Sequence, residues 1–294
     1  LRTRGALAPA ECQQISDALQ HAIGAVIGSN RRPPRLLKSW LNGTPLGHPL
    51  HPAIVALPIG AWLLTAVFDI LWLIAPAGNA WSARAAEVTA LVGIATALGA
   101  IITGMTDWSD SYGRERTIGL LHGLLNLIVT ATYRVSAALR LLTASGESIP
   151  GAVIGFAGLA LLLYTGYLGG EMVFTEGTGV NHTAWEAASD DFEPVMPLAD
   201  VPDNTLTRAL VAGVPVLLVR SGERIAAISA TCPHAGGPLD EGTLERGVVQ
   251  CPWHGSRFRL RDGHVLTGPA TANAPRYEVR VQEGQVALKR IASH

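Results

Sequence analysis

Four runs of mainly apolar residues limit what this chain can fold into more than any motif does. They cover about Ala53 to Ala75, Glu87 to Met105, Ile118 to Leu139 and Pro150 to Gly170, each near the roughly 20 residues that a helix needs to cross the hydrocarbon core of a bilayer. Pro76-Ala77-Gly78-Asn79, Asp107 to Arg116 and Thr143 to Pro150 separate them, and breaks this short make neighbouring helices antiparallel. Small residues four apart, at Gly119 and Gly123, Gly151 and Gly155, and Gly166 and Gly170, let helix backbones approach closely in lipid. The composition agrees, since 48% of residues are hydrophobic, only 15% are charged and the mean hydropathy is +0.28, values too apolar for a water-soluble chain of this size.

The placement of Lys and Arg sets the expected orientation, because short loops rich in them stay in the cytoplasm. Arg2, Arg4, Arg31, Arg32, Arg35 and Lys38 precede the first span and Arg114 and Arg116 follow the second, whereas Arg84 and Arg140 flank the membrane on the other side. Four spans return the chain to its starting side, so the C-terminal part is expected in the cytoplasm. No secretory signal peptide is legible before the first span, and Pro33-Pro34 after Arg31-Arg32 does not provide the apolar core of a twin-arginine signal. With 22 Lys+Arg against 23 Asp+Glu and a formal charge of -1, no basic surface exists to bind nucleic acid by counterion release. Lipid is the implied partner. Three cysteines, with Cys12 standing apart, do not make a disulfide framework.

After about Phe192 the pattern changes to short alternating strands. Tyr277, Val279 and Val281 alternate with polar residues before Glu283-Gly284 turns the chain into Val286 and Leu288, and Val216 to Val219, Ser221-Gly222 and Ile225 to Ile228 make a second hairpin. Asp262-Gly263 marks a third. The chain thus reads as multi-domain, an all-α four-helix transmembrane bundle followed by an all-β sandwich or barrel. The expected boundaries are a basic leader without ordered structure at residues 1–39, the bundle at 40–172, a linker at 173–191 and the β domain at 192–294.

Two loops in the β domain carry chemistry. Cys232-Pro233-His234-Ala235-Gly236-Gly237 and Cys251-Pro252-Trp253-His254-Gly255-Ser256 each offer one thiolate and one imidazole. A [2Fe-2S] cluster with two Cys on one iron and two His on the other needs this inventory. A zinc site built from two cysteines and two histidines draws on the same residue types, although zinc sites usually pair cysteines two to four apart. Gly and Pro suit tight turns that bring backbone N–H groups near cluster sulfides. By its C-x-H and C-x-x-H loops the segment from about Phe192 to Leu288 resembles the Rieske ferredoxin-like family. The resemblance implies that Cys232 and Cys251 hold one iron and His234 and His254 the other, that Pro233 shapes the first loop, and that Gly268-Pro269-Ala270 is the proline loop covering the cluster. In quinol-oxidising members of that family a disulfide joins the positions of Gly237 and Trp253 and a hydroxyl stands at that of Phe258. Both are missing here while Ser256 keeps its hydroxyl, so the resemblance implies a low-to-middling potential. Only 40 residues follow His254, too few for an oxygenase active site.

Gly47-His48-Pro49-Leu50-His51-Pro52, Asp69, Asp107-Trp108 and His122 resemble an uncharacterised bacterial family of four-helix membrane domains over about Trp40 to Gly170. That implies a multi-pass protein of the bacterial inner membrane and lends no activity. Ionisable residues at membrane depth are costly and mark candidate sites. His48, His51, Asp107, His122 and Glu171 are expected at the cytoplasmic end, where His51 and His122 are suited to hold a haem b between them, to line a quinone pocket, or to cap helices while Asp69 pairs with Arg84 or Arg134. His182 and His264 read as surface residues. The functional expectation is a membrane-anchored one-electron carrier serving a reductase or oxygenase. The alternatives are a membrane oxidoreductase using quinone or haem, and a redox sensor.

Overall fold

The computed structural model of the chain describes residues 10–28, 35–187 and 191–291. Contacts divide the chain into two compact units, one of Leu1–Gly24 and Leu50–Thr178, the other of Ala25–Pro49 and Gly179–His294. The leader expected to lack order is helical at α1 (Ala10–Ile27) and α2 (Arg35–Asn42), because both segments find partners. Gln20 of α1 donates to the carbonyl oxygens of Trp108 and Ser111, each at 3.0 Å, and Arg116 pairs with Asp17. Residues 40–49, drawn above with the bundle, fall in the second unit instead. The expectations that rest on Arg2, Arg4, Arg31 and Arg32 lie outside the described residues.

The first unit holds α3 (Leu50–Ile54), α4 (Ala56–Ile74), α5 (Ala80–Trp108), α6 (Gly113–Leu141) and α7 (Ile149–Phe174). α3 and α4 form one span, and the four spans are each long and apolar enough to cross a membrane. Their starts follow from local chemistry, as in α7, where the Ser148 hydroxyl accepts from the Gly151 N–H at 3.1 Å with Pro150 in the first turn. The bundle core is Trp62, Ala90, Ala97, Val129, Tyr133, Ala137 and Leu162. Trp62 stacks flat on Tyr133, ring centroids 4.4 Å apart, and reaches α5 only because residue 93 is glycine: a Cβ there would lie 2.2 Å from Trp62 Nε1. Of the glycine pairs singled out above, Gly119, Gly151 and Gly155 meet side chains of neighbouring elements, while Gly123 and Gly166 meet nothing within 4 Å. Asp69 pairs with neither Arg84 nor Arg134. Arg140 grips it with two bonds of 2.7 and 2.6 Å, and both groups are buried, the condition under which ions persist at such depth. Leu63, Val67, Leu98, Leu127 and Leu163 point outward, as helices hydrophobic on both faces do in lipid.

The β unit has a six-stranded antiparallel sheet in the order β1 (Glu193–Pro197), β10 (Gln285–Arg290), β9 (Arg276–Gln282), β4 (Arg224–Ser229), β3 (Val214–Ser221), β2 (Thr207–Val211). A second, four-stranded sheet runs β5 (Thr243–Glu245), β6 (Val248–Gln250), β7 (Arg257–Arg259), β8 (Val265–Thr267). The three hairpins read from the sequence are β3–β4, β7–β8 and β9–β10. Alternation along β3 puts Val216 and Leu218 into one apolar cluster and Leu217 and Val219 into another. That second cluster continues through Ile228, Leu239, Val249 and Phe258 to Cys232 and Cys251, so both cysteines grow out of the core that joins the two sheets.

Candidate metal centre

The first loop leaves β4 and leads to β5; the second is the tip of the β6–β7 hairpin, whose last pair is Gln250 with Arg257. Both are folded alike. Cys232 N donates to Gly237 O at 2.8 Å and Cys251 N to Ser256 O at 2.8 Å; Gly236 N returns to Cys232 O at 2.9 Å and Gly255 N to Cys251 O at 3.1 Å. Gly236 and Gly255 occur at the same step of each turn with φ of 76° and 78°, a conformation that a side chain would strain. The backbone N–H groups of His234 and Ala235 aim at the Cys232 sulfur.

The loops bring the four expected ligands together. Cys232 and Cys251 are buried and no disulfide joins them. Their mutual hydrogen bond, reinforced by burial, pushes the Cys232 thiol well up. His234 Nδ1 and His254 Nδ1 stand 3.2 Å apart with their rings edge to face. At that distance there is room for one proton at most between two ring nitrogens, and both lone pairs can address a single metal ion. Burial, then the nearby His254, His182 and Lys38, hold His234 down at about 3, the neutral form that binds metal. Two thiols on one side and two Nδ1 atoms on the other fit an iron–sulfur cluster held by a pair of cysteines and a pair of histidines.

The expected surroundings are also assembled. Gly237 faces Trp253 and Cys251 so closely that a Cβ would sit 2.9 Å from the Cys251 sulfur and 3.0 Å from the Trp253 ring. Pro233 is buried, and its carbonyl accepts from His182 N at 3.0 Å. Phe258 is fully buried between the sheets. The Ser256 hydroxyl accepts from Ala270 N at 3.0 Å, so it ties down the loop that contains Pro269.

Sequence reasoning missed what holds that loop from the other side. Gly268 N donates to the Ser39 hydroxyl at 3.2 Å, and the Thr44 hydroxyl donates to Ala270 O at 3.0 Å. Gly268 leaves space for Thr44, since a Cβ would lie 2.4 Å from its hydroxyl oxygen. Lys38, only 3% exposed, acts on the charge of His234. His182, read as a surface residue, packs on the first loop. No local pattern signals contacts across more than 200 residues. The candidate membrane residues separate: His48 belongs to the β unit, with Nδ1 3.2 Å from Pro49 O, whereas His51, Asp107 and His122 lie in the helical unit. Glu171 pairs with Arg114 at 3.0 Å.

Comparison with known proteins agrees with this geometry. The model of the Rieske [2Fe-2S] domain matches residues 191–278, and that of a predicted membrane protein family (DUF2231) matches residues 47–182. Ferredoxin CarAc of Metapseudomonas resinovorans is 35% identical over 89 residues, which is 30% of this chain and 83% of that protein. The 3-phenylpropionate/cinnamic acid dioxygenase ferredoxin subunit of Escherichia coli K12 is 35% identical over 93 residues, 31% of this chain and 87% of the subunit. Mouse apoptosis-inducing factor 3 is 35% identical over 74 residues, 25% of this chain, and the chain spans only 12% of that protein's length. By its C-terminal β unit the chain belongs to the Rieske [2Fe-2S] ferredoxin family, joined to a helical domain of the predicted membrane protein family.

Proposed function

We propose that this protein is a membrane-anchored Rieske ferredoxin that passes electrons one at a time on the cytoplasmic face of a bacterial inner membrane. The observation that carries the reading is the convergence of two identically folded loops, with two buried thiols and two Nδ1 atoms 3.2 Å apart. Cys232 and Cys251 would hold one iron, and His234 and His254 the other. Bound there, a [2Fe-2S] cluster supplies a reversible one-electron couple. The protein's own part is to keep the His234 imidazole neutral, to point the His234 and Ala235 N–H groups at the Cys232 sulfur, and to close the site with Trp253 and the Gly268–Ala270 loop.

The cytoplasmic side follows from the basic residues before the first span and between the second and third. The ferredoxin subunit of a dioxygenase among the relatives supports an oxygenase or its reductase as the partner. With Phe258 in place of a hydroxyl donor, the potential belongs in the lower half of the range of about -150 to +300 mV known for such centres. EPR of the reduced protein, with iron and acid-labile sulfide analysis and a redox titration, tests the reading. A Rieske signal with a midpoint below about +75 mV is expected; protein that holds zinc, or no iron, overturns it.

A further inference from the structure

The helical unit contains one histidine arrangement twice. In the first hairpin His51 sets its Nδ1 2.9 Å from the carbonyl oxygen of Ala100 on α5; in the second His122 sets its Nδ1 2.9 Å from the carbonyl oxygen of Thr165 on α7. A carbonyl only accepts, so each ring carries its proton on Nδ1 and presents Nε2 as a lone pair. Four residues beyond each carbonyl a glycine makes room for the ring. A Cβ on Gly104 would come within 2.8 Å of His51, and one on Gly169 within 3.4 Å of His122. The levels match too, because Ala100 stands 8 residues before the end of α5 and Thr165 stands 9 before the end of the parallel α7. At about 1.5 Å per residue both carbonyls lie roughly 12 to 14 Å in from the same end. The two rings are close enough for their charges to interact.

Anchoring Nδ1–H on a carbonyl and leaving Nε2 to bind is how proteins prepare a histidine for a metal. Two imidazoles do not complete the shell of a bare ion, and among the described residues no third His, Cys, Asp or Glu joins His51 and His122 to hold one. The other donors must therefore come with the ligand, as in a tetrapyrrole that fills the equatorial positions of iron. The iron(II)–porphyrin core is neutral, which suits a site in apolar helices, while the propionates of a haem would have to reach the polar end of the helices. A quinone would need donors, and the nearby hydroxyls are already engaged: Thr103 donates to Gly99 O at 2.9 Å and stands 3.3 Å from His51 Nδ1, and Thr165 bonds Leu162 O at 2.8 Å and Asn126 Oδ1 at 3.2 Å. We propose that the helical unit binds one haem between its two hairpins, with Nε2 of His51 and of His122 as axial ligands. Asn126 donates to His122 Nε2 at 3.2 Å and to the His122 carbonyl at 2.8 Å; it yields the first bond to iron and keeps the second. The site lies wholly in the helical unit and does not rest on the cluster, so either reading can fail alone.

Full-length protein purified in detergent is titrated with haemin and its optical spectrum recorded before and after reduction. One low-spin, bis-imidazole haem per chain is expected. His51→Met and His122→Met should each raise the haem potential as a thioether replaces an imidazole. His122→Gly should weaken haemin binding more than tenfold and recover the low-spin spectrum with added imidazole, while Asn126→Ala retains it. Gel filtration and helix content by circular dichroism report folding of every variant. Wild-type protein that takes up no haem, a spectrum indifferent to both histidine substitutions in folded protein, or uptake of a quinone analogue in place of haem overturns the proposal.

Discussion

Ser256 fixes the Gly268–Ala270 loop through one hydrogen bond, and both Ser256 and Ala270 are fully buried. Ser256→Ala leaves the Ala270 N–H without its partner, at a cost of about 1 to 3 kcal/mol. Thermal loss of the cluster's visible absorbance should occur at lower temperature in the variant, while the shape of the EPR signal stays that of the wild type. The charge of Lys38 bears on His234. A positive charge near His234 favours the reduced, more negative centre. Lys38→Met should therefore lower the midpoint, read by redox titration; an unchanged or higher midpoint would count against that role. The four candidate ligands were legible because each loop is a contiguous motif whose residue types point to the metal chemistry. Ser39, Thr44, Lys38 and His182 were not, because their roles come from the fold bringing distant segments together.

Among the elements, the spans and hairpins were legible from period and turn residues, since an apolar run or a Ser-Gly turn constrains its own backbone. Pairing within the bundle was not. Asp69 finds Arg140 rather than Arg84 or Arg134 because side-chain direction on packed helices decides it, and Arg84 turns instead to Glu87 at 2.6 Å. The contact of α4 with α5 depends on Gly93 under Trp62, so Gly93→Ala should cost about 1 to 3 kcal/mol by overpacking. Detergent melts should place it well below Gly60→Ala, where a Cβ meets nothing within 4 Å. In the β7–β8 hairpin Arg259 donates to Asp262 at 2.9 and 2.7 Å, and the Asp262 carboxylate also accepts from His264 N at 3.2 Å. The Arg259 bonds come first among the causes that hold the Asp262 carboxyl down at about 2. Because the folded value lies below the ordinary one, the contribution is complete above about pH 4 and disappears as pH falls through about 2. Asp262→Asn should lower the β unit's melting temperature slightly at pH 7, by an amount worth under about 1 kcal/mol for so exposed a pair, and the difference from wild type should close between about pH 4 and pH 2.

At the scale of the whole chain, the β unit is discontinuous in sequence. Its two pieces, Ala25–Pro49 and Gly179–His294, are separated by all four apolar helices, yet Ser39 and Thr44 of the first piece bond to Gly268 and Ala270 of the second. A hydrogen-bonded domain cannot be divided by a bilayer, so residues 35–49 and the cluster loops must lie on one side of the membrane. That condition demands an even number of crossings between them, and four crossings meet it. It constrains topology independently of the distribution of Lys and Arg, on which the proposal of the cytoplasm as that side rests. Fluorescent-protein fusions at both ends should therefore glow together, and alkaline phosphatase placed in the 75–79 and 142–148 connections should be active. An active phosphatase at both ends would keep the shared side and move it outside the cell. Ends on opposite faces would mean that one apolar helix does not cross, and Ser39 could then not reach Gly268. In that case Ser39→Ala and Thr44→Val would leave cluster stability unchanged, whereas a domain closed by its own N-terminal strap loses the visible absorbance at lower temperature when either bond is removed.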